Sequence, residues 1–156
     1  MENALAEGIE ICELSERHVP ELAVMEAKLF SMPWSENAFR ELLTKEYFHY
    51  LVALKGDKVI GFAGMTTSFG EGEIDKVMVD PEFQRRGVAD ALMTAVTSLG
   101  AKLGITAYTL EVRVSNVPAI RLYEKHGFHG EGVRPRFYER PTEDALIMWR
   151  REGEQC

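Results

Sequence analysis

Residues 77–89 constrain this chain more than any other stretch. Val77-Met78-Val79 reads as a strand, Asp80-Pro81 ends it, and the basic run Gln84-Arg85-Arg86-Gly87-Val88-Ala89 opens a helix. Proline has no N–H to give a sheet ladder, so the strand stops there. Past the loop, Ala91, Leu92, Met93, Val96, Leu99 and Leu103 recur at helical spacing. The unpaired N–H groups of the first helical turn then fall around residues 86–90, and with the helix dipole they favour an anion such as a pyrophosphate. Gly87 permits close backbone approach, Ala89 is nearly as small, and Arg85 and Arg86 add positive charge. Taken alone, the segment is also compatible with an ordinary strand, turn and helix carrying two solvated arginines.

The rest of the chain narrows the choice. No Gly-Lys-Ser/Thr follows the loop, which excludes a Walker motif, and the three glycines of a dinucleotide fingerprint are missing. Roughly one strand after the helix comes Leu110-Glu111-Val112-Arg113-Val114-Ser115-Asn116, running on through Tyr123 to Gly127-Phe128. With these two segments in this order the chain resembles the GNAT superfamily of acetyl-CoA-dependent N-acetyltransferases. Gln84, Gly87 and Ala89 match its Gln/Arg-x-x-Gly-x-Gly/Ala signature, and residues 116–128 match its second signature. Within the superfamily it is similar to the bacterial ribosomal-protein-alanine N-acetyltransferases at residues 32–39 (Met-Pro-Trp-Ser-Glu-Asn-Ala-Phe), 110–113, 132–138 and 143–148. The resemblance spans about residues 9–149 and implies one N-acetyltransferase domain over residues 1–156.

Composition fits that expectation. The 156 residues suit a single domain, and 46% hydrophobic content is ordinary for a globular protein. No apolar run reaches the roughly 20 residues of a membrane span, and Met1-Glu2-Asn3 lacks a basic signal-peptide start, so the expected compartment is the cytoplasm. Cys12 and Cys156 are the only cysteines and have no metal-ligand spacing; neither a disulfide scaffold nor a metal is expected. The net charge of −7 argues against nucleic acid as a partner and suits a cationic one.

Local patterns predict the elements: strands over 8–14, 50–54, 59–67, 71–79, 107–114, 128–137 and 144–150, and helices over 15–29 (capped by Ser15), from Ser35 through Leu43, after Gly87, and over 116–125. Leu22, Met25, Ala27 and Leu29 are the candidate apolar contacts of the first helix, and residues 150–156 are expected to fray. The fold class is α/β (α+β). The resemblance implies a mixed, mostly antiparallel sheet with helices on both faces, splayed between its fourth and fifth strands to form the active-site cleft.

It further implies that acetyl-CoA lies in that splay. Pantetheine would pair with the backbone of Val77, Met78 and Val79, the pyrophosphate would sit on Arg85, Arg86, Gly87, Val88, Ala89 and Asp90, and Asn116 would approach from the other side. Asp90 departs from the family pattern, because a carboxylate there repels phosphate unless it turns away. The acceptor that the resemblance implies is a protein N-terminus, expected to be the N-terminal alanine of a ribosomal protein. Its α-amine has a free pKa of about 7.7 to 8.0 and must lose a proton before it can attack a thioester. Glu111 is the candidate base; the alternative is a simple ion pair with Arg113, its same-face neighbour. Tyr123 is the candidate acid toward the departing thiolate; the alternative is an interior tyrosine that packs its ring and hydrogen-bonds its hydroxyl. A backbone N–H near Met78 or Val79 would polarise the thioester oxygen. Arg136 and Tyr138 in the last hairpin, with Trp34 opposite, are candidate acceptor contacts, although Trp34 could equally pack a loop on the core. The histidines share no ligand spacing. Two other readings stay open: transfer to a small amine such as a polyamine or antibiotic, and a non-catalytic acyl-CoA-binding module. A monomer or weak dimer is expected.

Overall fold

The structure is a computed structural model that describes residues 8–153; Met1-Glu2-Asn3 and Cys156 lie outside the described residues. Its strands are β1 (Ile9–Glu13), β2 (Phe48–Lys55), β3 (Lys58–Ser68), β4 (Glu71–Val79), β5 (Ala107–Arg113), β6 (His129–Tyr138) and β7 (Glu143–Arg151), in the spatial order β1-β2-β3-β4-β5-β7-β6. Every neighbouring pair is antiparallel except β4 and β5. The β3–β4 hairpin turns on Phe69 and Gly70, with φ of 50° and 81°, the left-handed pair that a two-residue loop needs to match strand twist. From β4 the chain instead enters α3 (Val88–Lys102) and returns as β5, and such a crossover is what makes two strands parallel.

The remaining helices are α1 (Val19–Leu29), α2 (Glu36–Leu42) and α4 (Val117–Lys125). Helix α1 begins four residues later than the Ser15 cap suggested. The Ser15 N–H donates to His18 Nδ1 at 3.0 Å and closes a 3-10 turn over Glu16–His18, after which Pro20 sits in the first turn of α1 where no N–H is required. Leu22 and Met25 are buried as expected, but Ala27 and Leu29 are exposed, and Glu26 is the residue of that turn that goes inside. Arg150 and Arg151, expected to fray, instead extend β7 opposite Tyr108 and Ala107.

Two apolar layers flank the sheet. On one face Leu92, Met93 and Val96 of α3 pack with Met65, Ile74, Tyr108, Leu110 and Met148; on the other Leu22 and Met25 of α1 and Phe39 of α2 pack with Tyr50, Val52, Phe62 and Met78. The alternation of Met78 and Val79 between these layers follows the two-residue period of a strand. Gly64 is required by this packing, since a Cβ there would lie 1.7 Å from the Tyr50 ring, which crosses β3 at that point. Opposite, Gly64 pairs with Lys76 and Met65 with Ile74, so Asp75 is an extra residue bulged out of β4. Among the described residues no helix is long and apolar enough to cross a membrane.

Candidate active site

The β4–β5 ladder has three pairs, Glu71 with Ala107, Gly72 with Tyr108 and Glu73 with Thr109, and then ends. Beyond it β4 continues to Val79 held by β3, and β5 continues to Arg113 held by β7, so the sheet opens between them. Val77, Met78 and Val79 therefore present a strand edge to the opening. The Val79 carbonyl is partly engaged, accepting from Gln84 Nε2 at 3.4 Å, a contact the sequence reading did not anticipate.

Below that edge, Asp80 caps the turn by accepting the Glu82 N–H at 2.9 Å, and the loop then takes left-handed backbone at Arg85 (φ 66°) and Gly87 (φ 81°). Gly87 is the cap of α3, which leaves the first-turn N–H groups without helical acceptors. Phe83 carries Lys58 and Arg86 at 5.7 and 5.1 Å from its ring, gathering positive charge beside the loop. The conflict raised by Asp90 is resolved by α4. Lys125 Nζ and His126 Nε2 lie 3.1 and 2.9 Å from its two oxygens. Partial burial alone would raise the Asp90 carboxyl, but these hydrogen bonds and the charges behind them hold it below the usual aspartate range. Asn116 caps α4, its side-chain oxygen accepting the Ala119 N–H at 3.3 Å, so its amide N–H2 is the group left to meet a ligand.

Tyr123 is buried on α4, edge-on to Phe128 with centroids 6.1 Å apart. The ring packs as an interior tyrosine would, but among the described residues nothing accepts its hydroxyl proton. Burial pushes the phenol well above its ordinary value, so it stays protonated at neutral pH. Glu111 stands midway along β5, and the alternative pairing with Arg113 does not form. Arg113 instead donates to the carbonyls of Pro141 and Glu139 at 2.9 and 3.0 Å, reaches Glu143, and lies over the Tyr138 ring. The Glu111 carboxylate faces Arg134 of β6, with Nε 2.7 Å from Oε2. That oxygen is buried and takes no aligned hydrogen bond, so the contact is chiefly charge against charge.

Two further carboxylates stand nearby. Burial and the charge of Glu111 push Glu73 up, while Arg134 draws it down. Asp75 is pushed up to about 6, mainly by burial, although Thr66 Oγ1 donates to it at 2.6 Å. Sequence reasoning missed both. The signal was an acidic residue at every second position, 71, 73 and 75, of the strand leading into the loop motif.

On the α1 side, Trp34 is half-buried, with ring centroids 5.4 Å from Phe39, 6.4 Å from Phe48 and 5.9 Å from Tyr50. Packing holds one part of this ring and leaves the rest accessible. Its loop is fastened by Glu26, fully buried, which accepts the Trp34 N–H at 2.9 Å and binds Lys76 Nζ through both oxygens at 2.7 and 2.9 Å. Opposite, Tyr138 is partly buried; burial, then the Glu111 charge, pushes its phenol up to about 12. Arg136 is exposed, and its N–H donates to Asp144 Oδ1 at 2.9 Å. Ser31 Oγ donates to the Glu139 carbonyl at 3.3 Å, so the two loops meet over the face that carries Glu111.

A sheet parted beside a basic glycine loop is the arrangement that the resemblance implies for an acyl-CoA-dependent transferase. Residues 19–128 match the Acetyltransferase (GNAT) family, and the chain belongs to that family; it is an acetyl-CoA-dependent N-acetyltransferase. It is 33% identical over 142 residues to the [ribosomal protein bS18]-alanine N-acetyltransferase of Escherichia coli K12, covering 88% of this chain and 94% of the relative. It is likewise 33% identical over 154 residues to the N-alpha-acetyltransferase RimI of Mycobacterium tuberculosis, covering 95% and 96%. The crystal structure of the ribosomal-protein-S18-alanine N-acetyltransferase from Escherichia coli superposes with a TM-score of 0.85 over 95% of this chain and 96% of that one, at 29% identity.

Proposed function

We propose that the chain transfers the acetyl group of acetyl-CoA to a protein's N-terminal α-amine, with the N-terminal alanine of a ribosomal protein as acceptor. The observation that carries the reading is the parting of β4 from β5 after three pairs, which sets the edge of Val77–Val79 against Glu111 across one opening. The names of the relatives support the acceptor class. Pantetheine pairs along that edge. The pyrophosphate lies on the N–H groups and arginines of residues 85–90, while Asn116 turns its amide toward the cofactor. Trp34, Arg136 and Tyr138 line the acceptor's path. The setting is the cytoplasm, with no metal and no nucleic acid taking part.

Glu111 takes a proton from the α-ammonium, directly or through water, and the freed nitrogen attacks the thioester carbon. The N–C bond forms as the carbonyl electrons move to oxygen, which a backbone N–H of Met78 or Val79 stabilises. When the intermediate collapses, the C–S bond breaks, Tyr123 protonates the sulfur, and the second proton leaving the nitrogen passes, directly or through water, to the tyrosinate and restores the phenol. The phenol is protonated at neutral pH and so has the proton to give, while its burial makes it a weaker acid than a free tyrosine.

The test is CoA release from acetyl-CoA with hexapeptides copying ribosomal-protein N-termini, beside spermidine and an aminoglycoside. Peptide-only turnover that Glu111→Gln and Tyr123→Phe each lower by about 10²- to 10⁴-fold is the expected result. Turnover confined to the small amines overturns the acceptor assignment.

A further inference from the structure

Arg134, the partner that Glu111 has found, belongs to β6, the outer strand of the sheet, at the point where its register with β7 breaks between Arg134 and Tyr138. Its side chain is 56% exposed, whereas that of Glu111 is 16% exposed, so the carboxylate is the fixed member of the pair and the guanidinium the movable one. The 2.7 Å approach is not aligned as a hydrogen bond, and the guanidinium also lies 5.2 Å from the Phe137 ring, on which it can rest when it leaves. Glu73 feels the same two charges, repelled by Glu111 and relieved by Arg134, so one arginine serves two carboxylates at the mouth of the opening. Two further cations on this part of the sheet are committed elsewhere, Lys76 to Glu26 and Arg113 to Glu143 and the carbonyls of Glu139 and Pro141.

A guanidinium does not give up its proton at any physiological pH. While Arg134 sits on Glu111, the carboxylate is matched by a cation it cannot neutralise. The α-ammonium of an acceptor must come within reach of the same carboxylate, directly or through one water, to be deprotonated. Resting on the proposed function of Glu111 as the base, we propose that Arg134 is an internal competitor of the acceptor ammonium: it holds the charge of Glu111 between turnovers and is displaced onto Phe137 when a cationic N-terminus arrives. Arg134 is then a positioning residue that weakens acceptor binding.

The test measures Kd for an alanine-initiated peptide on the CoA-saturated enzyme, with kcat and KM for the same peptide. Variants are Arg134→Gln, Arg134→Lys and each of these in a Glu111→Gln background. The expected result is that Arg134→Gln tightens the peptide about fivefold, the upper end for a partly exposed pair, with kcat little changed. Arg134→Lys, which keeps the charge, stays near wild type, and in the Glu111→Gln background removal of Arg134 has no further effect. A weaker or unchanged peptide Kd for Arg134→Gln, with the wild type active, overturns the competitor and leaves the proposed function standing. A wild type that acetylates no peptide overturns the proposed function, and the competitor falls with it.

Discussion

Asp75→Asn turns the bulge in β4 into a measurement. The carboxyl of Asp75 is raised from 3.8 to about 6, burial being the largest cause, with Glu73 adding to the rise and the Thr66 hydroxyl and Lys76 opposing it. A group raised by about two pKa units carries a penalty of about 3 kcal/mol once it is ionised in the folded state. Between pH 4 and 6 the folded chain keeps the proton that the unfolded chain has released, so stability falls as pH rises through this window and the full penalty is present above it. Asparagine has no charge to desolvate and still offers Thr66 an oxygen. The variant should therefore differ from wild type by only a small constant at pH 4 and become more stable by about 3 kcal/mol at pH 7, about 6–12 °C in Tm for a domain of this size. Urea unfolding of both proteins at unit steps from pH 4 to 8 reads the difference directly, because groups common to both cancel. A difference that stays flat across the series, or a gain that appears on the acid side, would refute the reasoning.

Single contacts set three further outcomes. Lys76→Met removes one half of a buried ion pair and leaves Glu26 charged inside; a loss of about 3–5 kcal/mol is expected, with a shift in Trp34 fluorescence as its loop loosens, and Glu26→Gln in addition should recover part of it. Gly100→Ala would normally gain up to about 1 kcal/mol of helix propensity. Here the new Cβ lies 2.2 Å from the buried Tyr108 hydroxyl, so thermal melts should show a net loss of about 1–3 kcal/mol. Asp90→Asn should tighten acetyl-CoA by no more than about twofold in calorimetry, since Lys125 and His126 already counter the charge; a tenfold gain would mean that the carboxylate still faces the phosphates.

The element order and the loop before α3 were legible in the sequence because each rests on local chemistry, while the parting of β4 from β5 was implied by the family resemblance. Apolar periodicity sets strand and helix; Pro81 and Gly87 act through their own backbone limits; and β4 was bounded at both ends by its turns, matching residues 71–79. The GNAT motifs sit on such local features, which is why the family could be read from them. The sequence could not decide the partners of charged side chains, because a charge finds its counter-ion through space. Arg113 is two residues from Glu111 yet binds the β6–β7 turn, while Arg134, 23 positions away, takes the carboxylate once β7 brings β6 alongside. Asp90, read as a liability to phosphate, is countered by two residues at the end of α4. Glu26 is not among the apolar contacts named from the sequence of α1, and only the approach of Lys76 and the Trp34 N–H makes its burial tolerable. Backbone geometry is a property of neighbours in the chain, whereas electrostatic pairing depends on distances that exist only after the sheet has assembled.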